Sequence, residues 1–172
     1  MKLVYSLLLF LCVLLACNNV ESTAYDNIVS FYLLKDSEMK ATDASKNKIE
    51  SLQLSEYPIF SSQVMGYYNW KDHSFSIDSN SVKKLHEYCN LHKSVFGIPF
   101  IVTVGEERIY LGAFWFAYSS LAPTFPHIAI TLFSQNPSSV LTINKSWSDL
   151  EPDIRNDKRI YITLKNKGLL IE

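Results

Sequence analysis

Three groups of side chains in this sequence have types and spacings that suit chemistry. The first is His86-x-x-Cys89-x-x-His92, a thiol between two imidazoles and the one cluster that resembles a metal site. On a helix these positions spread over roughly 120° of one side, so all three do not easily reach one ion. Cys89 also falls on the stripe of Val82 and Leu85, and no fourth ligand is evident. The expectation is a buried thiol flanked by two boundary histidines, with no metal and no other cofactor. The second group is the carboxylates Asp149, Glu151, Asp153 and Asp157. They suit acid/base or calcium chemistry, but more ordinarily compensate the dipole at a helix start, with Arg155 and Arg159 as local ion-pair partners. The third is the aromatic run Phe114-Trp115-Phe116-Ala117-Tyr118, followed by Pro123, Phe125 and Pro126. Serines are plentiful, yet none sits in a G-x-S-x-G or S-x-x-K arrangement. No catalytic residue is assigned.

The aromatic run belongs to a hairpin. Ile98 to Val104 is rich in β-branched residues and Ile109 to Tyr118 in aromatics, and Gly105-Glu106-Glu107-Arg108 turns between them. Alternation puts Phe114, Phe116 and Tyr118 on one face and Trp115 on the other. One face must be core. The other is either covered as well, or exposed as a candidate binding patch of Phe114, Trp115, Phe116, Tyr118 and Phe125.

Around this hairpin the pattern predicts a strand over Asn27–Leu34, a polar loop over Lys35–Lys48 and a short extended segment over Ile49–Leu54. A helical turn over Gln63–Met65 then precedes a small hairpin, Tyr67–Trp70 with Ser74–Ile77. Asp78 is the favoured N-cap of a helix running to about Lys93, with Val82, Leu85 and Cys89 buried. His127–Phe133 and Val140–Ile143 read as strands, and Ile154–Lys167 as a C-terminal helix stopped by Gly168. The predicted fold class is α+β, a mainly antiparallel sheet with one central helix packed on it and a C-terminal helix.

The beginning of the chain reads differently. Met1-Lys2 is a basic start, and Leu3 to Ala16 is almost wholly apolar, the pattern of a signal peptide over residues 1–16. Leu14-Leu15-Ala16-Cys17 resembles the lipobox of bacterial lipoproteins. That resemblance implies cleavage before Cys17 and acylation there, and two or three acyl chains anchor stably where one is marginal. Cleavage by an ordinary signal peptidase is the rival, and Leu14 is a poor fit to it. Residues 17–26 read as a flexible tether and 27–172 as one α+β domain. Cys12 leaves with the signal and Cys17 is lipidated, so Cys89 has no partner for a disulfide. A formal net charge of −1, with no basic concentration, makes nucleic acid a poor partner.

Gly97-Ile98-Pro99-Phe100-Ile101-Val102, then Gly105-Glu106-Glu107-Arg108 and Ile109, give residues 58–130 a resemblance to the periplasmic head subdomain of the protein-export accessory subunit SecD. Residues 97–120 are more similar still to small bacterial proteins of unknown function, often lipoproteins, with a G-x-P-F-V-V-V-x-G-E-R-I-Y-L-G-A-F-W pattern. The resemblance implies a compact α+β unit on the outer side of the cytoplasmic membrane and transfers no catalytic residue. Every transmembrane helix of the translocase subunit is missing, so an export-motor role is not implied. The expectation is a non-enzymatic lipoprotein of the bacterial cell envelope, held to a membrane by an N-terminal lipid anchor and binding another envelope protein or peptide. The alternative is an envelope hydrolase whose site forms only in three dimensions.

Overall fold

The computed structural model describes residues 27–131, 138–148 and 152–172. The expected signal peptide and the whole tether, Cys17 included, lie outside them, as do Leu132, Phe133, Asp149 and Glu151. The described residues form a mixed α/β fold dominated by one curled sheet of nine strands with few helices. The strands are β1 (Val29–Leu33), β2 (Phe60–Ser61), β3 (Met65–Asn69), β4 (Ser74–Ile77), β5 (Ile98–Val104), β6 (Glu107–Phe116), β7 (His127–Ile130), β8 (Val140–Asn144) and β9 (Leu170–Ile171). The helices are α1 (Ala41–Ala44), α2 (Ser79–Leu91) and α3 (Lys158–Asn166), with 3-10 turns at Ile49–Ser51 and Ile154–Asn156. The sheet order is β2-β1-β5-β6-β7-β8-β4-β3-β9. The β6–β7 and β3–β9 pairs are parallel and the others antiparallel.

The curl makes the core. Phe31 of β1 and Phe60 of β2 each lie 5.7 Å from Phe75 of β4, although most of the sheet separates them in strand order. Phe100, Phe114 and Phe116 join them inside. Both α2, through Val82, Leu85 and Cys89, and α3, through Ile160 and Leu164, add side chains to this same cluster. One central helix is therefore not a sufficient description of how the core is closed. Asp78 caps α2 with its side chain, accepting from the Asn80 and Ser81 amides.

All seven residues of β5 are buried, which means its outer face is covered too. The cover is the chain between β1 and β2. Leu34, Ala44 and Leu52 pack on Ile101 and Leu111, and Ala41 packs with Ala113, Trp115 and Phe125. Arg108 of β6 pins this layer by donating to the carbonyls of Ile49 and of Leu52, the latter at 2.6 Å. Within this layer the predicted loop contains α1, and the predicted extended segment at 49–54 starts as a 3-10 turn and is extended only towards its end, where Leu54 bridges Leu34 and the Lys35 amide donates to the Gln53 carbonyl.

Three further corrections follow from pairing. The expected helical turn at 63–65 is instead the link from β2 to β3, because Phe60 and Ser61 pair with Phe31 and Ser30. The predicted turn after β5 narrows to Gly105-Glu106, since Glu107 already pairs with Val104. The predicted C-terminal helix is split, because Asp153 caps a 3-10 turn and Asp157 caps α3 anew. Past Gly168 the chain adds β9 beside β3.

Candidate functional site

The binding patch expected at Phe114, Trp115, Phe116, Tyr118 and Phe125 is not a surface. Phe114 and Phe116 point into the curl and are fully buried. Trp115 and Phe125 are each 7% exposed, set edge to face beneath the β1–β2 cover and the 119–126 loop. The alternation of the run is as the sequence requires, but both faces are covered. Tyr118 alone emerges, 49% exposed, with its ring stacked on Phe116 at 5.4 Å.

Tyr118 has neighbours that sequence reading missed. Ile98 pairs with Phe114, so the chain just before β5 and the chain just after β6 leave the sheet at the same end. There Ser119 Oγ donates to the Val95 carbonyl at 2.6 Å and accepts from the Leu121 amide at 3.2 Å. This ties the two chain segments to each other; Val95, Phe96, Tyr118 and Leu121 flank the bond and are exposed, and Leu91, one helical turn earlier, is 81% exposed. Large aliphatic and aromatic side chains left in water around one loop junction are what an interface centre looks like before it is occupied. The signal available in sequence was faint: Leu91 lies off the Val82/Leu85/Cys89 stripe, and Val95-Phe96 follows a helix end.

Beside this rim runs a groove of about 660 Å³, bordered by Leu33, Leu34, Leu54, Lys35, Glu56 and Tyr88. Tyr88 connects the two features, because its ring lies against His92 at 4.3 Å in the last turn before Val95. Ser37 and Ser55 complete a mixed lining, apolar on one side and polar on the other, which in this size range suits a side chain or a short peptide. It holds no nucleophile–base pair.

The other chemistry-bearing residues have structural partners. Cys89 is buried and its thiol is pushed up to about 12 by desolvation, which makes it a poor nucleophile. Burial also lowers the pKa of His86. Among the described residues no group of three His, Cys, Asp or Glu is placed to hold a metal ion. Asp153 binds Arg155 through both oxygens, and that hydrogen bond holds its carboxyl below the usual range. Asp157 is held down in the same way by Arg159, which also reaches Glu107 of β6 at 2.9 Å. Among the described residues no helix is long and apolar enough to cross a membrane.

A polar group lies at the turn between β3 and β4. The Tyr68 hydroxyl lies 2.9 Å from His73 Nδ1, and Arg155 Nη1 donates to the Ile143 carbonyl at 2.6 Å. His127 of β7 is buried and pairs with Asn144 of β8, and its Nδ1 has no hydrogen-bond partner among the described residues.

Comparison with protein-family models, with curated proteins and with solved structures finds no match to this chain.

Proposed function

We propose that the chain is a membrane-anchored lipoprotein of the bacterial cell envelope whose folded part is a non-enzymatic binding module for an extended, apolar segment of another envelope protein. One observation carries the binding half: Val95, Phe96, Tyr118 and Leu121 are exposed on two chain segments that the Ser119–Val95 hydrogen bond ties together, with exposed Leu91 one helical turn earlier. The groove beside them supplies backbone-scale room and a polar margin. The anchoring half rests on the lipobox-like Leu14-Leu15-Ala16-Cys17. The resemblance of residues 58–130 to the SecD head supports the same outer location.

The rim and residue 27, where the described chain begins, lie at opposite ends of β5. Val29 pairs with Val104, so the described chain begins at the Gly105 end of β5, whereas the rim lies before Ile98. Seven residues of strand put about 20 Å between the two ends. A partner presented at a distance from the anchoring bilayer fits this arrangement better than the bilayer itself.

A photo-cross-linking residue placed at Phe96 or Tyr118 in the native cell tests the binding reading. One discrete, identified partner is expected from those positions and none from Lys71 in the turn between β3 and β4. Phe96→Ser with Tyr118→Ser weakens that capture about tenfold or more, as interface anchors do when truncated, and leaves stability within about 0.5 kcal/mol. Equal labelling from rim and control positions refutes it. The anchor is tested separately: Cys17→Ala abolishes palmitate incorporation and releases the chain from membranes, and a variant that keeps both defeats the lipoprotein reading.

A further inference from the structure

The turn from β3 to β4 carries a side chain where glycine is easiest. His73 has φ +55, the one positive value among described residues other than glycines. Histidine is among the few side chains that tolerate this conformation, and it is retained where something else holds it. Hairpin-turn side chains usually face water, yet His73 is 3% exposed. Its ring is edge-on to Tyr68 of β3 and to Trp70, the residue after that strand. Its carbonyl accepts from the Ile143 amide of β8 at 3.0 Å, and the Ile143 carbonyl accepts from Arg155. Arg155 is locked to Asp153 in the 3-10 turn that leads into α3. Trp70 makes a second tie to that segment, 5.1 Å from Tyr161 of α3.

The charge states follow from burial. Desolvation raises the pKa of Tyr68, so its hydroxyl keeps its proton and shares a hydrogen bond with His73 Nδ1 in which either group can donate. A second proton on the ring places a cation in this buried site, within the field of the Arg155 guanidinium. Asp72 in the turn and Asp153 oppose this, but Asp72 already accepts from the Ser74 amide and Asp153 is held by Arg155. Tyr110 of β6, also within the field of Arg155 and Asp153, is buried and neutral. The balance, burial first and Arg155 second, lowers the pKa of His73 to about 4.

We propose that His73 is an acid-sensitive latch that, while neutral, clamps the β3–β4 hairpin to β8 and to the segment carrying α3 and β9, and that releases this C-terminal segment when protonated. The direction is set by linkage. A histidine held below its ordinary value of 6.5 favours the closed form above that pH, and the advantage is lost as pH falls from there toward about 4. His127 is displaced in the same direction by burial and by Arg155, so pH dependence alone does not identify the latch.

Hydrogen exchange of the full chain at pH 7 and pH 5, corrected for intrinsic rates, separates them. Opening of residues 158–171 is expected to rise about twentyfold relative to β5 in the wild type, as linkage of one such histidine dictates. In His73→Asn, which keeps a polar side chain suited to left-handed backbone, that rise is expected to vanish. The same rise in the variant, or none in the wild type, overturns the latch. If His73→Asn does not fold, an NMR titration of the wild-type ring decides, assigned from variants lacking His86, His92 or His127. A value near 4 supports the latch and one near 6.5 overturns it.

Discussion

Gly97→Ala is expected to destabilise the protein by about 3 kcal/mol, a large share of the total for an ordinary domain. Two independent terms contribute. Gly97 has φ +73, and left-handed backbone costs a residue bearing Cβ about 1–2 kcal/mol. An added Cβ would also lie 2.6 Å from Trp115 Cε3 and 3.2 Å from the Ala41 Cβ, and overpacking of a closed site costs about 1–3 kcal/mol. Gly168 separates the two terms, because its φ is +67 while nothing lies within 4 Å of a Cβ placed there. Gly168→Ala is therefore expected to cost only the backbone term. Urea denaturation of the two variants checks this, and the difference between them measures how closely Trp115 presses on the backbone. If Gly97→Ala is no worse than Gly168→Ala, the cover over Trp115 is not packed as described.

Gly97 also shows what kind of information the sequence carries about this fold. The Gly-x-Pro before β5 is legible as a break, and the hairpin is legible from two apolar runs around a polar turn. Helix α2 is legible in detail, because Asp78 caps it and Val82, Leu85 and Cys89 keep a helical period. All of these depend on residues close together in the chain. What was not legible depends on distant ones. Seven buried residues in β5, all apolar but Thr103, require cover on both faces, but nothing local says that residues 39–54 provide it. Those residues are mostly polar, and their contribution rests on small Ala41 and Ala44 and on spaced Leu52, which no simple periodicity marks. Strand β9 is two residues long and pairs in parallel with a strand about a hundred residues away. The aromatic run illustrates the same limit from the side of function. Its alternation assigns each ring to a face, yet whether the Trp115 face meets water depends on Ala41 and Phe125. The exposed rim became recognisable only when the Ser119–Val95 hydrogen bond brought two loops together.

Phe75→Ala carries the largest expected loss, about 4 kcal/mol, within the range for truncating a buried phenylalanine. Phe75 is fully buried and meets Phe31, Phe60 and Tyr68 at ring distances of 5.7, 5.7 and 5.9 Å. The first two contacts exist only because the sheet curls. In strand order β5, β6, β7 and β8 lie between β1 and β4, so an open sheet keeps Phe31 and Phe75 well apart. A double-mutant cycle on Phe31→Leu and Phe75→Leu turns this geometry into a measurement. Residues in contact couple, whereas distant ones add to within about 0.3–0.5 kcal/mol. A coupling of about 1 kcal/mol, appropriate to an aromatic pair, is expected from equilibrium unfolding. Additivity within error indicates that the two strands do not face each other, and the closed core beneath the rim, which the binding reading requires, goes with it.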